Sequence, residues 1–169
     1  MDIVESLFCD TKELDGFLMS NNELSLRVIV DSNFRKSILL ASASYFERQV
    51  TDLISEYAQS CSNDEKIIFF IKNKALSRQY HTLFNWDAKN CNAFLGLFGD
   101  EFKKQFGEKV SKDDQLDKSI KDFLEIGRER NRLVHQNFGS YSLEKTADEI
   151  HELHLSAKNF LIHLKEELS

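Results

Sequence analysis

The chain has no proline, only six glycines and three cysteines among its 169 residues, and each scarcity narrows what it can be. Without proline no helix is forced to end by a missing N–H, and few glycines leave few places where a long helix must stop. Cys9, Cys61 and Cys91 are odd in number, widely spaced and never paired as Cys-x-x-Cys. They point to neither a disulfide framework nor a thiolate zinc site, and fit a reducing cytoplasm. No apolar run approaches the roughly 20 residues that cross a bilayer. The densest, Ile67 to Ile71, is by length a short core element. The stretch Met1-Asp2-Ile3-Val4-Glu5-Ser6 is acidic where a secretory signal is basic and then apolar, so a cytoplasmic protein with no membrane association is expected. The formal charge of −6 argues against a basic field spread over the surface, as non-specific nucleic-acid binders carry, while leaving room for a local basic pocket. No Walker-type phosphate loop, dinucleotide fingerprint or nucleophilic serine elbow occurs.

What is present is helical periodicity. Hydrophobic residues make up 41% of the chain and fourteen are Phe, enough for one substantial core and too little for two. The expectation is one all-α domain over residues 1–169. Residues 2–19 read as a helix with Ile3, Leu7, Leu14, Phe17 and Leu18 on one face. A long helix follows over 23–60, with the stripe Leu39, Ala43, Phe46, Val50, Leu53 and Tyr57, and Asp31 or Ser32 offers a cap for a separate start. Asn63 or Asp64 caps a helix through Lys72. Residues up to Asn90 read as short helices and turns, and 92–106 as a helix ending near Gly107. Asp113 or Asp114 caps the next helix, which ends at His135 to Ser140. The last runs from about Ser142 to Leu168, with Leu143, Ala147, Ile150, Leu153 or His154, Ala157, Phe160 or Leu161, Leu164 and Leu168 in near-heptad spacing, antiparallel to its predecessor.

The most informative segment is Arg130-Asn131-Arg132-Leu133-Val134-His135. At about 100° per residue, Leu116, Ile120, Phe123, Gly127 and Val134 fall within roughly 60° and read as the buried side. Arg130 projects into that sector, Asn131 lies at its margin and His135 just beyond. A buried, unpaired guanidinium is costly, so Arg130 has either an internal carboxylate partner, with Glu47 the candidate, or an anion in a cleft.

Arg130-Asn131-x-x-x-His135, at the end of a helix and followed by one loop and a final helix, resembles the HEPN signature of an Arg, a polar residue after it and a His shortly beyond. With a long central helix carrying Ala41-Ser42-Ala43-Ser44-Tyr45-Phe46-Glu47, the chain is most similar to the RiboL-PSP-HEPN branch. The resemblance implies a helical bundle with extra helices, dimerising through the motif helix. It further implies a metal-independent endoribonuclease with Arg130, Asn131 and His135 as catalytic residues, Glu47 in support, no cofactor and RNA as substrate. A role as a toxin or phage-defence effector, restrained by an antitoxin or defence-system protein, follows from the same resemblance. In toxins of this kind held by a nucleotidyltransferase antitoxin, a modified Tyr sits two positions after the motif His. Here that position is Asn137, with Tyr141 nearby.

Other residues carry blander readings. Arg128 and Arg132 share a polar face with Glu125 and are expected to be solvated. His151-Glu152-Leu153-His154 has the wrong register for a zinc helix. Tyr80, His81 and Trp86 read first as interior aromatics and second as a base-stacking patch, and His163 as a packed or capping residue. The alternative function is a non-catalytic HEPN-like module that binds a nucleotide, RNA or protein.

Overall fold

Asp2 opens the first helix by accepting the backbone N–H groups of Val4 and Glu5, while Glu5 reaches back to the N–H of Asp2; this reciprocal cap satisfies donors that the helix itself cannot. A computed structural model describes residues 1–169. The helices are α1 (Ile3–Ser20), α2 (Leu24–Cys61), α3 (Glu65–Ile71), α4 (Tyr80–Leu83), α5 (Asn92–Leu95), α6 (Asp100–Val110), α7 (Asp114–His135) and α8 (Ala147–Glu167), with a π turn at Lys72–Leu76 and a 3-10 turn at Gly96–Phe98. There is no strand, so the fold is all-α, as expected, and no helix is long and apolar enough to cross a membrane.

α7 and α8 form the most extensive helix pair, and α2 packs across both. The α2 stripe Leu39, Ala43, Phe46, Val50 and Leu53 is buried, as are Leu116, Ile120 and Phe123 of α7 and Ile150, Ala157, Phe160 and Leu164 of α8. Phe46, Phe123 and Phe160 meet in sequence, with centroids 5.5 and 5.2 Å apart. Each such ring contributes about 1.5–3 kcal/mol by leaving water. At one end of this core His154, fully buried, joins three elements: Ser42 Oγ lies 2.9 Å from its Nδ1 and Asp2 Oδ2 3.1 Å from its Nε2. Burial pushes His154 below its ordinary pKa against the pull of Asp2. The neutral ring therefore donates from Nε2 to the carboxylate and accepts the Ser42 hydroxyl at Nδ1.

Five sequence expectations are corrected. Asp31 and Ser32 start nothing, because α2 runs through them unbroken. The break in 92–106 falls at Gly99, whose φ of 104° suits glycine, and α6 continues past Gly107. The phenylalanine ladder crosses that break regardless, Phe94 to Phe98 at 5.4 Å and Phe98 to Phe102 at 5.4 Å. α8 starts at Ala147, after a Thr146–Glu149 capping box, rather than near Ser142. Ile3 and Phe17 are exposed, and α1 instead buries Val4, Thr11 and Leu18. The run Ile67 to Ile71 is not core: α3 buries no residue fully, and although it touches α2, Ile67, Phe69 and Phe70 lie exposed.

Candidate active site

The last turns of α7 are shaped by a glycine. A Cβ at Gly127 would lie 2.1 Å from Cε3 and Cζ3 of Trp86, so only glycine lets the indole lie against the helix backbone, at a cost of about 1 kcal/mol in helix propensity. Trp86 Nε1 donates to the carbonyl of His81 at 2.8 Å, and the ring packs against Phe84, Tyr80 and Phe123 at 5.0, 5.5 and 5.8 Å. Residues 80–87 thus cover α7 one turn before the Arg–His motif. Tyr80 and Trp86 are packing residues in this arrangement, and both also border the motif.

Arg130 is half-buried. Its Nη1 donates to Asn131 Oδ1 at 3.1 Å, and no carboxylate stands within 4.0 Å of it. The internal salt bridge to Glu47 is therefore not formed. Glu47 is exposed and borders the same small niche of about 10 Å³, together with Tyr80, Trp86, Gly127, Arg130 and Asn131; that volume holds about one water molecule. Burial first, and then the Glu47 carboxylate, push the Tyr80 phenol far above its ordinary range, with Arg130 opposing. Tyr80 remains a neutral hydroxyl throughout the working pH range.

His135 is the last residue of α7, exposed and without an ion pair or side-chain hydrogen bond within the chain. It opens on a groove of about 460 Å³ whose walls include Trp86, Asp87, Asn131 and Arg132. Asn131 borders both this groove and the Arg130 niche, whereas of these two cavities Arg130 lines only the niche and His135 only the groove. The structure thus brings Arg130 to Asn131 and Asn131 to His135, and keeps the guanidinium and the imidazole on either side of one amide.

Val134, expected inside, is 46% exposed, while Leu133 is fully buried. Val134 follows the same helix face as Gly127, but the cover that Trp86 gives at Gly127 is missing at Val134. Phe138 is also exposed, so apolar groups flank His135 at the helix end.

Sequence reasoning missed three supports of this region. Glu129 is buried and accepts from Arg132 Nη1 at 2.9 Å and from the Tyr141 hydroxyl at 3.0 Å. Burial, followed by this bond, raises the Tyr141 pKa. Lys36 is buried beneath the loop after His135, donating to the Phe138 carbonyl at 2.7 Å with its Nζ 4.9 Å from that ring's centroid. Its signal was a lysine in helical register with Leu39 and Ala43. Finally, Arg128 and Arg132 are tethered rather than freely solvated, Arg128 to Glu125 and Arg132 to Glu129. His151 stacks on Phe8 at 4.0 Å, away from the bonds made by His154, and His163 Nδ1 lies 3.6 Å from Glu166.

A model of the RiboL-PSP-HEPN family matches residues 6–169. The chain belongs to that family. The matched region takes in α7 and α8 whole and every residue of the motif, so the HEPN resemblance of Arg130-Asn131-x-x-x-His135 extends over nearly the entire chain. No curated protein and no solved structure matches it.

Proposed function

We propose that this RiboL-PSP-HEPN protein is a metal-independent endoribonuclease. The observation that supports this most is a guanidinium with no carboxylate partner and an exposed, unbonded imidazole on the two sides of Asn131. A ribonuclease of this type needs no nucleophile of its own. The ribose 2′-hydroxyl loses its proton to one His135, attacks the adjacent phosphorus, and displaces the 5′-oxygen, which takes a proton from a general acid. A 2′,3′-cyclic phosphate and a 5′-hydroxyl remain. Arg130 neutralises charge growing on the non-bridging oxygens, and Asn131 orients the phosphate or the imidazole.

Arg130 and His135 are about 140° apart around the helix, and their separate cavities agree with that angle. A two-fold dimer through α7 resolves it: the Arg130 of one protomer and the His135 of the other meet at one phosphodiester, and base and acid are two copies of His135. Exposed Val134 and Phe138 supply apolar surface beside the motif for such a contact. Glu47 serves as a supporting carboxylate at the Arg130 niche. In the cell we assign the protein to toxin or antiphage-defence chemistry, held in check by an antitoxin or defence-system partner in the cytoplasm.

The narrowness of the Arg130 niche favours a second reading, a non-catalytic module that binds RNA, a nucleotide or a protein. Incubation with RNA in EDTA separates the two. Chelator-resistant cleavage that disappears in both His135→Ala and Arg130→Ala establishes the ribonuclease, whereas binding without cleavage establishes the module. Sedimentation of the same samples reads the dimer, and full-rate cleavage by a monomer overturns the shared site.

A further inference from the structure

The groove on the His135 side of Asn131 has features that phosphate chemistry alone does not use. Its volume of about 460 Å³ is in the range of small-molecule sites. Trp86 lines it with an indole whose only N–H is already satisfied by the His81 carbonyl, so the ring offers apolar surface. Arg128 and Arg132 lie on the α7 wall, and Asn85 and Asp87 on the loop wall. Asp87 is exposed and makes no ion pair with either arginine, both of which are engaged by glutamates of their own helix.

An ionised carboxylate only accepts hydrogen bonds, and it repels a phosphate. Within a nucleotide its partners are therefore ribose hydroxyls and base N–H groups. Guanine places two neighbouring N–H donors, N1 and N2, on one edge, where both carboxylate oxygens can be met together; adenine and cytosine present a single exocyclic amino group, and uracil a single imino group. Within the loop the Asp87 N–H donates to Asn85 Oδ1 at 3.3 Å and the Ala88 N–H to the Asn85 carbonyl at 3.1 Å. Single-stranded RNA is read in this manner, by stacking on an aromatic ring and hydrogen bonds to an unpaired edge.

We propose that the groove between Asn85–Asp87 and the last two turns of α7 seats a guanine nucleotide of the RNA strand, with the base edge on Asp87, the ring beside Trp86 and its phosphate toward Arg132 and His135. This rests on the ribonuclease reading for the identity of the strand and adds base selectivity to it. Cleavage then falls next to guanosine.

Trp86 is the only tryptophan of the chain, so its fluorescence reports occupancy without any cleavage. Titrations of the full-length protein with the 3′-monophosphates of guanosine, adenosine, cytidine and uridine are expected to give saturable quenching, with guanosine bound about tenfold more tightly than the others. Asp87→Asn is expected to bring that preference below about threefold, while Asp10→Asn on α1, outside the groove, preserves it. Equal affinities for all four nucleotides, or a guanosine preference indifferent to Asp87→Asn, overturns the proposal. Sequencing of 5′-hydroxyl ends from digested RNA supplies the second readout. Selective quenching without cleavage upholds the groove and removes the ribonuclease reading. Cleavage without selective quenching removes the groove and leaves the ribonuclease.

Discussion

Arg130 Nη1 donates to Asn131 Oδ1 at 3.1 Å, and that amide oxygen is the guanidinium's one hydrogen-bond partner in the chain. Asn131→Asp keeps the size of the side chain and turns this acceptor into a charge. The guanidinium is then paired internally and the adjoining wall repels phosphate. Cleavage of a fluorogenic RNA is expected to fall by about 100-fold with the fold retained, as checked by far-UV circular dichroism; a loss below threefold would mean that the electrostatic state of Arg130 does not matter.

The close approach of Trp86 to Gly127 has a measurable cost when filled. Gly127→Ala places a methyl group inside the indole, and the helix or the 80–87 segment must move. Urea unfolding followed by far-UV circular dichroism is expected to show a loss of about 1–3 kcal/mol. Trp86→Ala paired with Gly127→Ala loses less than the sum of the two single changes, because the collision is gone.

Stability is expected to decline on acidification in two stages. His154 lies below its ordinary 6.5 through burial. Asp2 lies well below its ordinary 3.8, since hydrogen bonds from His154, the Glu5 backbone and Lys158 outweigh the upward push of burial. For both groups the unfolded chain takes up the proton first, so the stabilisation is whole above each ordinary value and is lost as pH falls toward the folded one. Urea midpoints between pH 7.5 and 3 check this, and His154→Gln is expected to flatten the upper stage and to shrink the lower, because the imidazole is one of the groups that hold the Asp2 pKa down.

Tyr141→Phe removes one of the two donors to buried Glu129. Thermal unfolding is expected to register about 1 kcal/mol of lost stability, and amide exchange should quicken in residues 136–141, the loop that this bond ties to α7. Unchanged exchange would show that Arg132 alone holds Glu129.

The sequence made the long-period features legible. The stripes of α2 and α8, the Asp113 cap and the end of α7 at His135 follow from periodicity and capping chemistry, which act within a few residues. The Arg130-Asn131-x-x-x-His135 motif is contiguous in the sequence, and the family was readable from its resemblance to the HEPN signature. What escaped was set by contacts across the chain. Ile67 to Ile71 has the composition of a core element, yet its contact with α2 leaves Ile67, Phe69 and Phe70 exposed. Gly107 carries the residue type of a helix end, but the left-handed turn falls at Gly99. Glu129 could not be recognised as buried from local pattern, and the register of Lys36 with Leu39 and Ala43 did not show what would cover it, since their partners Tyr141 and Phe138 come from a loop whose path the pattern does not set. The division of the motif between two cavities depends on where Trp86 rests, and that depends on the absence of a side chain at residue 127.

The ammonium of Lys36 is shut in under the chain that leaves the motif helix, with a carbonyl oxygen and an aromatic face for company. Taking such an ion out of water costs on the order of several kcal/mol, and the Phe138 carbonyl and ring offset part of that cost only while the loop stays down. The strand downstream of the imidazole is therefore latched to the longest helix of the protein. A pull or twist on α2 is expected to reach the neighbourhood of His135 through two tethers, Lys36 to the Phe138 carbonyl and Arg35 to the Leu143 carbonyl.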